Sequence, residues 1–245
     1  MKNIKLTVEY DGTNYAGWQR QKNYVTVQEK LEEAIKTLTG IETEAIGSSR
    51  TDSGVHAKGF VCNFFTESRI PASRFRDALN SKLPKDIVVL NSEEVPDSFH
   101  ARYSSTGKQY SYTILNRLQP SAIERNYVYH FKKTLNYEAM KEACSYFIGT
   151  HDFSAFRSSG SSVKTSIRTI KRAFLHRYDD KIIFYVEGDG FLYNMVRIMM
   201  GTLMDVGIGK IRPEQIKDII SSKDRNRAGK TAPASGLCLE IVYYS

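Results

Sequence analysis

The sequence has few of the features that mark secreted, membrane or metal-dependent proteins. Its three cysteines, Cys62, Cys144 and Cys238, are isolated and without CxxC spacing, which predicts reduced and mostly buried thiols. No apolar run reaches the length of a membrane span, and the first residues have no signal-peptide core. No segment has low complexity, and no cluster of residues has metal-ligand spacing. The sequence therefore predicts a cytoplasmic protein that holds no metal and does not associate with membranes.

What the sequence has in excess is positive charge. Its 35 Lys and Arg residues exceed its 27 Asp and Glu residues, which gives a formal net charge of +8. The 245 residues, 41% of them hydrophobic, suffice for a packed core in one large domain or two smaller ones. The charge favours a polyanionic partner, nucleic acid above all, with ordinary surface solubility as the alternative explanation.

The hydrophobic pattern predicts the element order β-α-β-β-α-β, and the second half of the chain repeats it. In the first half the predicted strands are Asn3–Tyr10, Ile41–Ile46, 60–66 and Ile87–Leu90. The predicted helices run from the capping box at Thr26 to Gly40, and onward from Pro71. In the second half the predicted strands are Gln109–Leu115, Tyr127–Phe131, Ile167–Tyr178, Lys181–Glu187 and Leu237–Tyr244. The predicted helices there are 136–148, Phe191–Val206 and Pro213–Ser222.

This order predicts an α+β fold of two split-βαβ halves, of the ferredoxin-like or RRM-like kind. A boundary is expected where Ser-Ser-Thr-Gly interrupts the pattern at 104–107. An N-terminal domain would then span residues 1–105 and a C-terminal domain residues 106–245. Their sheets are expected to join into one extended mixed sheet. The active site is expected in a cleft between the halves, because clefts between domains are favoured sites.

A polar segment at 47–59 follows one predicted strand, precedes another, and is the strongest candidate for chemistry. Within seven residues it contains a base, an acid and a histidine, namely Arg50, Asp52 and His56. Loops positioned by a rigid scaffold commonly carry catalytic groups. The alternative is a solvated connection in which Asp52 caps a turn. We interpret His56 as structural, since loop histidines often bind only backbone groups.

Three further residues in the second half have more than one explanation. Arg197 lies between two apolar residues of a predicted helix, so it risks burial and then needs an acidic partner. Tyr110 is either a core residue or a ring that stacks on a base. Leu237 is most simply a core residue, although it also suits the wall of a pocket.

Taken together, these segments resemble the tRNA pseudouridine synthases of the TruA type. The matching motifs occur in the family's order along nearly the whole chain. They are Tyr10-Asp11-Gly12-Thr13 with Tyr15, Gly17-Trp18-Gln19-Arg20-Gln21, Val27-Gln28-Glu29, Arg50-Thr51-Asp52, Gly54-Val55-His56-Ala57, Phe99-His100-Ala101-Arg102, Tyr110, His151-Asp152-Phe153 with Phe156, Met195-Val196-Arg197 and Gly236-Leu237. Three positions depart from the family pattern. Ser49 stands where Gly is usual, Ser53 where Ala is usual, and Lys108 where Arg is common.

The resemblance implies an enzyme that isomerises uridine to pseudouridine at positions 38, 39 and 40 of the tRNA anticodon stem-loop. It also implies a homodimer that needs no cofactor. Asp52 matches the catalytic aspartate, and Tyr110 the tyrosine that packs on the target base. Arg197 matches an arginine paired with the acid, and Arg50 one linked to base extrusion. Arg102 and Leu237 lie in matching motifs and are expected to bind substrate.

Two other functions compete with this interpretation. Asp52-Ser53-Gly54 fits the Asp-Ser/Thr-Gly motif of aspartic proteases, but such enzymes need two aspartates and the sequence has one copy of the motif. A non-catalytic RNA-binding protein on the same scaffold is the second alternative, which the intact set of Arg50, Asp52, Tyr110 and Arg197 disfavours. Peptide cleavage would support the first, and tRNA binding without isomerisation the second.

Overall fold

The structure is a computed structural model that describes residues 1–160 and 165–245. Its strands are β1 (Lys2–Tyr10), β2 (Ile46–Gly47), β3 (His56–Thr66), β4 (Ile87–Val95), β5 (Ser105–Leu115), β6 (Tyr129–His130), β7 (Gly149–Asp152), β8 (Ile167–Tyr178), β9 (Lys181–Gly188) and β10 (Leu237–Tyr244). Its α-helices are α1 (Val27–Thr39), α2 (Phe75–Asn80), α3 (Tyr137–Ser145), α4 (Met195–Gly207) and α5 (Gln215–Ser222). The α+β class is confirmed. The chain divides into two compact units, residues 1–106 with 238–245 and residues 107–237.

The first unit is a split-βαβ arrangement with strand order β4-β1-β3-β10. β1 is antiparallel to both β3 and β4, whereas β10 runs parallel to β3 with Cys238 opposite His56. This sheet is therefore mixed. The sequence assigned β10 to the second domain, but β10 groups with the first unit because it pairs with β3. The Tyr244 hydroxyl also donates to the Ala101 carbonyl at 2.6 Å.

Helix α1 begins and ends where the sequence predicts. The Thr26 hydroxyl accepts from the Glu29 N–H at 3.3 Å, which satisfies one of the free donors of the first turn. The helix ends at Gly40, whose φ of 76° is left-handed. Along its length Val27, Leu31, Ala34 and Ile35 are buried, as the apolar spacing requires.

The strand predicted at Ile41–Ile46 is wrong except at its last residue, because β2 covers only Ile46–Gly47. Side chains of α1 bond both backbone groups of Ala45, which a strand there would need for pairing. The Glu32 carboxylate accepts from the Ala45 N–H at 3.0 Å, and the Gln28 amide donates to the Ala45 carbonyl at 3.2 Å. The following strand, in contrast, is longer than predicted, since β3 already begins at His56.

The second unit has the strand order β5-β9-β8-β7, with every neighbouring pair antiparallel and β6 parallel to β5. The predicted bounds of β8 are confirmed. Asn136 caps α3 as predicted, since its side chain accepts from the Ala139 N–H at 3.1 Å. The short strand β7 was not predicted.

Helix α4 begins at Met195 rather than at the predicted Phe191. The reason is Asn194, whose φ of 62° is left-handed and cannot continue a right-handed helix. Eleven residues of α4 are buried, so this helix is the centre of the second unit's core. A Cβ at Gly201 would lie 1.7 Å from the Lys230 carbonyl oxygen. Glycine there lets the 228–232 segment lie directly against the helix.

None of the helices among residues 1–160 and 165–245 combines the length and the apolar character that crossing a membrane requires.

Candidate active site

The candidate acid, Asp52, is half-buried on the loop between β2 and β3. The residue before it is held from two sides. The Thr51 carbonyl accepts from the Trp18 N–H at 3.3 Å, and the Thr51 hydroxyl lies 2.8 Å from the hydroxyl of Tyr10 on β1. Both Thr51 and Tyr10 are buried. The chain entering Asp52 is thus bonded to the sheet and to the segment that follows β1.

The chain leaving Asp52 is held as well. The Val55 N–H donates to the Asp52 carbonyl at 3.2 Å and closes a tight turn. The Gly54 N–H donates to the Tyr15 carbonyl at 3.2 Å, and the Ser53 hydroxyl donates to the same oxygen, also at 3.2 Å. The serine that departs from the family pattern therefore adds a hydrogen bond to this turn and leaves the acid in place.

Close backbone contact at Gly17 makes this arrangement possible. Gly17 has a φ of +94°, and a Cβ on it would lie 2.3 Å from the Thr51 carbonyl oxygen. Any other residue would meet both the backbone strain and the clash. Glycine at this position therefore allows the chain after β1 to lie directly against the backbone of the Asp52 loop.

The contacts of His56 favour the structural role predicted for it. The side chain is buried, and its Nδ1 lies 3.1 Å both from the Gly12 N and from an Asp11 carboxylate oxygen. The ring thereby ties the start of β3 to the turn that follows β1.

The two predicted substrate-binding arginines, Arg50 and Arg102, lie at the same pocket of the first unit. Its volume is about 280 Å³. It is lined by Trp18, Gln19, Gln28, Glu44, Ala45, Ile46, Gly47, Ser49, Arg50, His100, Arg102 and Tyr103. Both arginines are exposed, and within the described ranges neither forms an ion pair. The pocket therefore presents two guanidinium groups that suit phosphate oxygens.

In the second unit, Arg197 is held through its side chain. It is half-buried in the first turn of α4. Its Nε donates to the Ala232 carbonyl at 2.8 Å, and its Nη1 donates to the Asn194 side-chain oxygen at 2.7 Å. The Asn194 amide donates in turn to the Ser158 hydroxyl at 2.9 Å. The guanidinium is therefore oriented by Ala232 and Asn194, and the Asn194 side chain in turn by Ser158.

Two tyrosines on one face of β5 lie in the same unit. Tyr110 is 6% exposed, and its ring meets the edge of Phe191 at 5.1 Å and 80°. The Tyr112 hydroxyl donates to the Pro233 carbonyl at 2.7 Å. Burial raises the pKa of Tyr112, and the positive charge of Arg197 opposes that shift. Tyr112 therefore stays neutral, as a structural tyrosine with a satisfied hydroxyl.

The predicted site residues thus fall into two groups. Arg50, Asp52 and Arg102 belong to the first unit, and Arg50 shares the loop of Asp52. Tyr110, Arg197 and the buried Leu237 belong to the second.

Sequence reasoning missed the residues that support these groups. No pattern singled out Asn194 or Ser158, because a left-handed asparagine and a bond spanning 36 positions leave no local signal. His100 was noted only within its motif, and Tyr103 was not noted at all. An aromatic residue directly after Arg102 was the signal available in the sequence. Among the described residues, no three His, Cys, Asp or Glu side chains are grouped so as to hold a metal ion.

Comparison with known sequences identifies the class. Residues 6–104 and 143–245 match the profile of the family described as tRNA pseudouridine synthase. The chain therefore belongs to this family, whose members are isomerases.

Two relatives match over the full length of both chains. The chain is 62% identical over 244 residues to "tRNA pseudouridine synthase A 2" of Clostridium perfringens, and 60% identical to "tRNA pseudouridine synthase A" of Clostridium acetobutylicum. Within the family it belongs with the A-type synthases, as its motifs predicted.

Among solved structures, a chain of a Cbf5–Nop10–Gar1 complex aligns with 96% of this chain and 57% of its own length. The TM-score is 0.37 and the identity 13%. A similarity this distant adds nothing to the assignment.

Proposed function

We propose that this protein converts uridine to pseudouridine at positions 38, 39 and 40 of the tRNA anticodon stem-loop, with Asp52 as the essential acid. It acts as a homodimer in the cytoplasm and needs no cofactor. The observation that carries the proposal is the full-length match, at 62% identity, to a relative named as a tRNA pseudouridine synthase A. The fixed backbone on both sides of Asp52 supports the choice of that residue.

The chemistry explains why one carboxylate suffices. The C1′–N1 bond of the nucleotide breaks, the uracil turns, and a C1′–C5 bond forms. C5 loses its proton and N1 gains one, so the product is an isomer of the substrate. No electrons are gained or lost, so the balance requires no redox cofactor. An ionised Asp52 either attacks C1′ or removes a ribose proton.

The other predicted site residues bind the substrate or support the acid. Tyr110 packs on the target base, which suits a buried ring already fixed by Phe191. Arg197 is assigned the pairing with the acid that its family motif implies. Moving the target base out of its stack costs a few kcal/mol. Arg50 helps to hold the base in the extruded position. Arg102 binds a phosphate group of the tRNA, and Leu237 forms part of the apolar wall of the substrate pocket.

Release of tritium from uridine C5 tests the proposal directly. A tRNA transcript labelled at C5 should release tritium to water with the wild-type protein. Asp52→Asn should release it about 10⁴-fold more slowly, the scale seen when a catalytic carboxylate is removed. Asp97→Asn changes an exposed carboxylate of the same unit and serves as the matched control, with an unchanged rate. Wild-type release by Asp52→Asn would refute the assignment.

Transcripts that carry a single uridine at 38, 39 or 40 test the positions. All three should release tritium, and a transcript with none of them should not. Sedimentation of the protein alone should give twice the mass of the 27.9 kDa chain. A monomer with full activity would contradict the dimer, and release from the transcript without these uridines would contradict the positions.

A further inference from the structure

The pocket between Arg50 and Arg102 does not include the acid. Among the described residues its lining contains Arg50 but not Asp52, two positions further along the loop. The ribose of the reacting uridine must contact Asp52 in the proposed reaction. The ribose of the reacting uridine therefore lies outside this pocket, which is available to a neighbouring part of the substrate.

One side of the pocket is an exposed aromatic ring. Tyr103 is 78% exposed, although it lies in a folded segment rather than at a chain end. His100 lies against it with ring centroids 4.3 Å apart and an interplanar angle of 35°. The His100 Nδ1 accepts from the backbone N–H groups of Arg102 and Tyr103 at 3.1 and 3.3 Å. The Tyr103 ring is thus contacted by His100 and by the Arg102 guanidinium, 5.9 Å from the ring centroid, while most of its surface faces solvent.

The hydrogen bonds of His100 also determine which of its ring nitrogens carries the hydrogen. Because Nδ1 accepts two hydrogen bonds, the neutral ring carries its proton on Nε2. His100 therefore offers a donor to an occupant of the pocket that it lines. Glu44 and Gln19, also in the lining and both exposed, offer acceptors that match the N–H edges of nucleobases.

We propose that this pocket binds a second nucleotide of the tRNA, distinct from the target uridine, with its base on Tyr103 and its phosphates on Arg50 and Arg102. The inference rests on the proposed function, which supplies the RNA. An exposed aromatic ring beside two arginines without ion pairs is the combination with which proteins bind unpaired nucleotides. A volume of about 280 Å³ is just below the usual range of ligand pockets, which suits a single base and no larger group.

Substitution of Tyr103 gives the first test. Loss of a base-stacking ring should raise the Kd for unmodified tRNA transcript about tenfold in Tyr103→Ala. Tyr103→Phe keeps the ring and should stay within twofold. At saturating tRNA the kcat of both variants should equal that of the wild type. Tyr178→Ala removes an equally large ring, 68% exposed on β8 of the other unit, and should leave the Kd unchanged.

Three results of that test would overturn the proposal. They are an unchanged Kd in Tyr103→Ala, an equal loss in Tyr103→Phe, and an equal loss in Tyr178→Ala. The first two would show that the ring is not a stacking surface, and the third that the effect is not specific to the pocket.

Trp18 gives a second, independent measurement. It is the one tryptophan of the sequence, and it lines the pocket with its Nε1 beside Gly47. Adding tRNA to the full-length Asp52→Asn chain should change the Trp18 emission, and the change should be lost in Asp52→Asn/Tyr103→Ala at saturating tRNA. The proposal would be contradicted if Trp18 emission did not change on adding tRNA, or if the change were the same with and without Tyr103.

The two proposals fail differently. If wild-type protein releases no tritium from any tRNA, the proposed function fails. If it releases tritium but Tyr103→Ala changes neither the Kd for tRNA nor the Trp18 emission, only the second-nucleotide site fails.

Discussion

The two units hold their candidate functional groups by different means. In the first, the backbone around Asp52 is bonded on both sides and approaches Gly17 closely. In the second, the side chain of Arg197 is oriented by Ala232 and Asn194, while its backbone belongs to an ordinary helix. The backbone beside Asp52 is thus fixed by the path of its loop, and the guanidinium of Arg197 by its hydrogen-bond partners.

This difference determines which substitutions should matter. A loop that is positioned by its backbone is sensitive to an added Cβ anywhere in the contact, even far from the carboxylate. A guanidinium that is positioned by acceptors is sensitive to their removal, even when the backbone stays in place.

Gly17→Ala should have the largest effect. The new methyl would clash with the Thr51 carbonyl at 2.3 Å in a backbone with φ of +94°. Strain and overpacking together should reduce the free energy of unfolding by about 3 kcal/mol. Because Thr51 precedes Asp52, displacement of its carbonyl should also lower kcat about 100-fold. Thermal unfolding and tritium release measure the two effects.

Gly40→Ala is the matched control for Gly17→Ala. Gly40 also has a positive φ, 76°, but a Cβ there meets nothing within 4 Å. The strain alone should cost about 1 kcal/mol, and kcat should stay within twofold. If Gly17→Ala behaved like Gly40→Ala, the close contact would have no part in positioning the acid.

Asn194→Gly should have an intermediate effect. Glycine accepts the φ of 62° without strain, so that the substitution removes the side chain and retains the turn into α4. Arg197 loses one charge-assisted acceptor and keeps the Ala232 carbonyl. We expect kcat to fall about tenfold, less than in Arg197→Ala, with the Kd for tRNA unchanged. Single-turnover tritium release and filter binding separate these quantities.

Asp179→Gly is the control for Asn194→Gly. Asp179 has a similar φ of 54° in the turn between β8 and β9, so the backbone change is equivalent. The activity of Asp179→Gly should equal that of the wild type. A tenfold loss in both variants would attribute the effect to general loosening by glycine, and no loss in Asn194→Gly would show that Asn194 does not position Arg197.

The same difference explains what the sequence could predict. The Asp52 loop could be singled out because glycines and polar residues stand near the acid in the sequence, whereas its contacts with Gly17, Tyr10 and Tyr15 could not be predicted. The bounds of β8 and β10 were also predicted correctly, because their apolar spacing and flanking turns are local signals.

What failed depends on contacts between separated residues. The strand predicted at Ile41–Ile46 has the right composition, but Glu32 and Gln28 occupy the backbone of Ala45. The start of α4 was misplaced because nothing in the sequence marks Asn194 as left-handed. The acceptors of Arg197 were not predicted either, because Ala232 lies 35 positions away in the sequence.

Ser53→Ala should have the smallest effect and tests the backbone explanation from the other side. The substitution restores the residue usual in the family and removes only the hydroxyl bond to the Tyr15 carbonyl, 3.2 Å long and exposed on one side. The Gly54 N–H still donates to that oxygen. Since one of its two donors remains, we expect the free energy of unfolding to change by less than about 0.5 kcal/mol, with kcat within twofold. Urea unfolding and tritium release provide the measurements. A tenfold loss of kcat would mean that this side chain, and not the backbone alone, holds Asp52 in position.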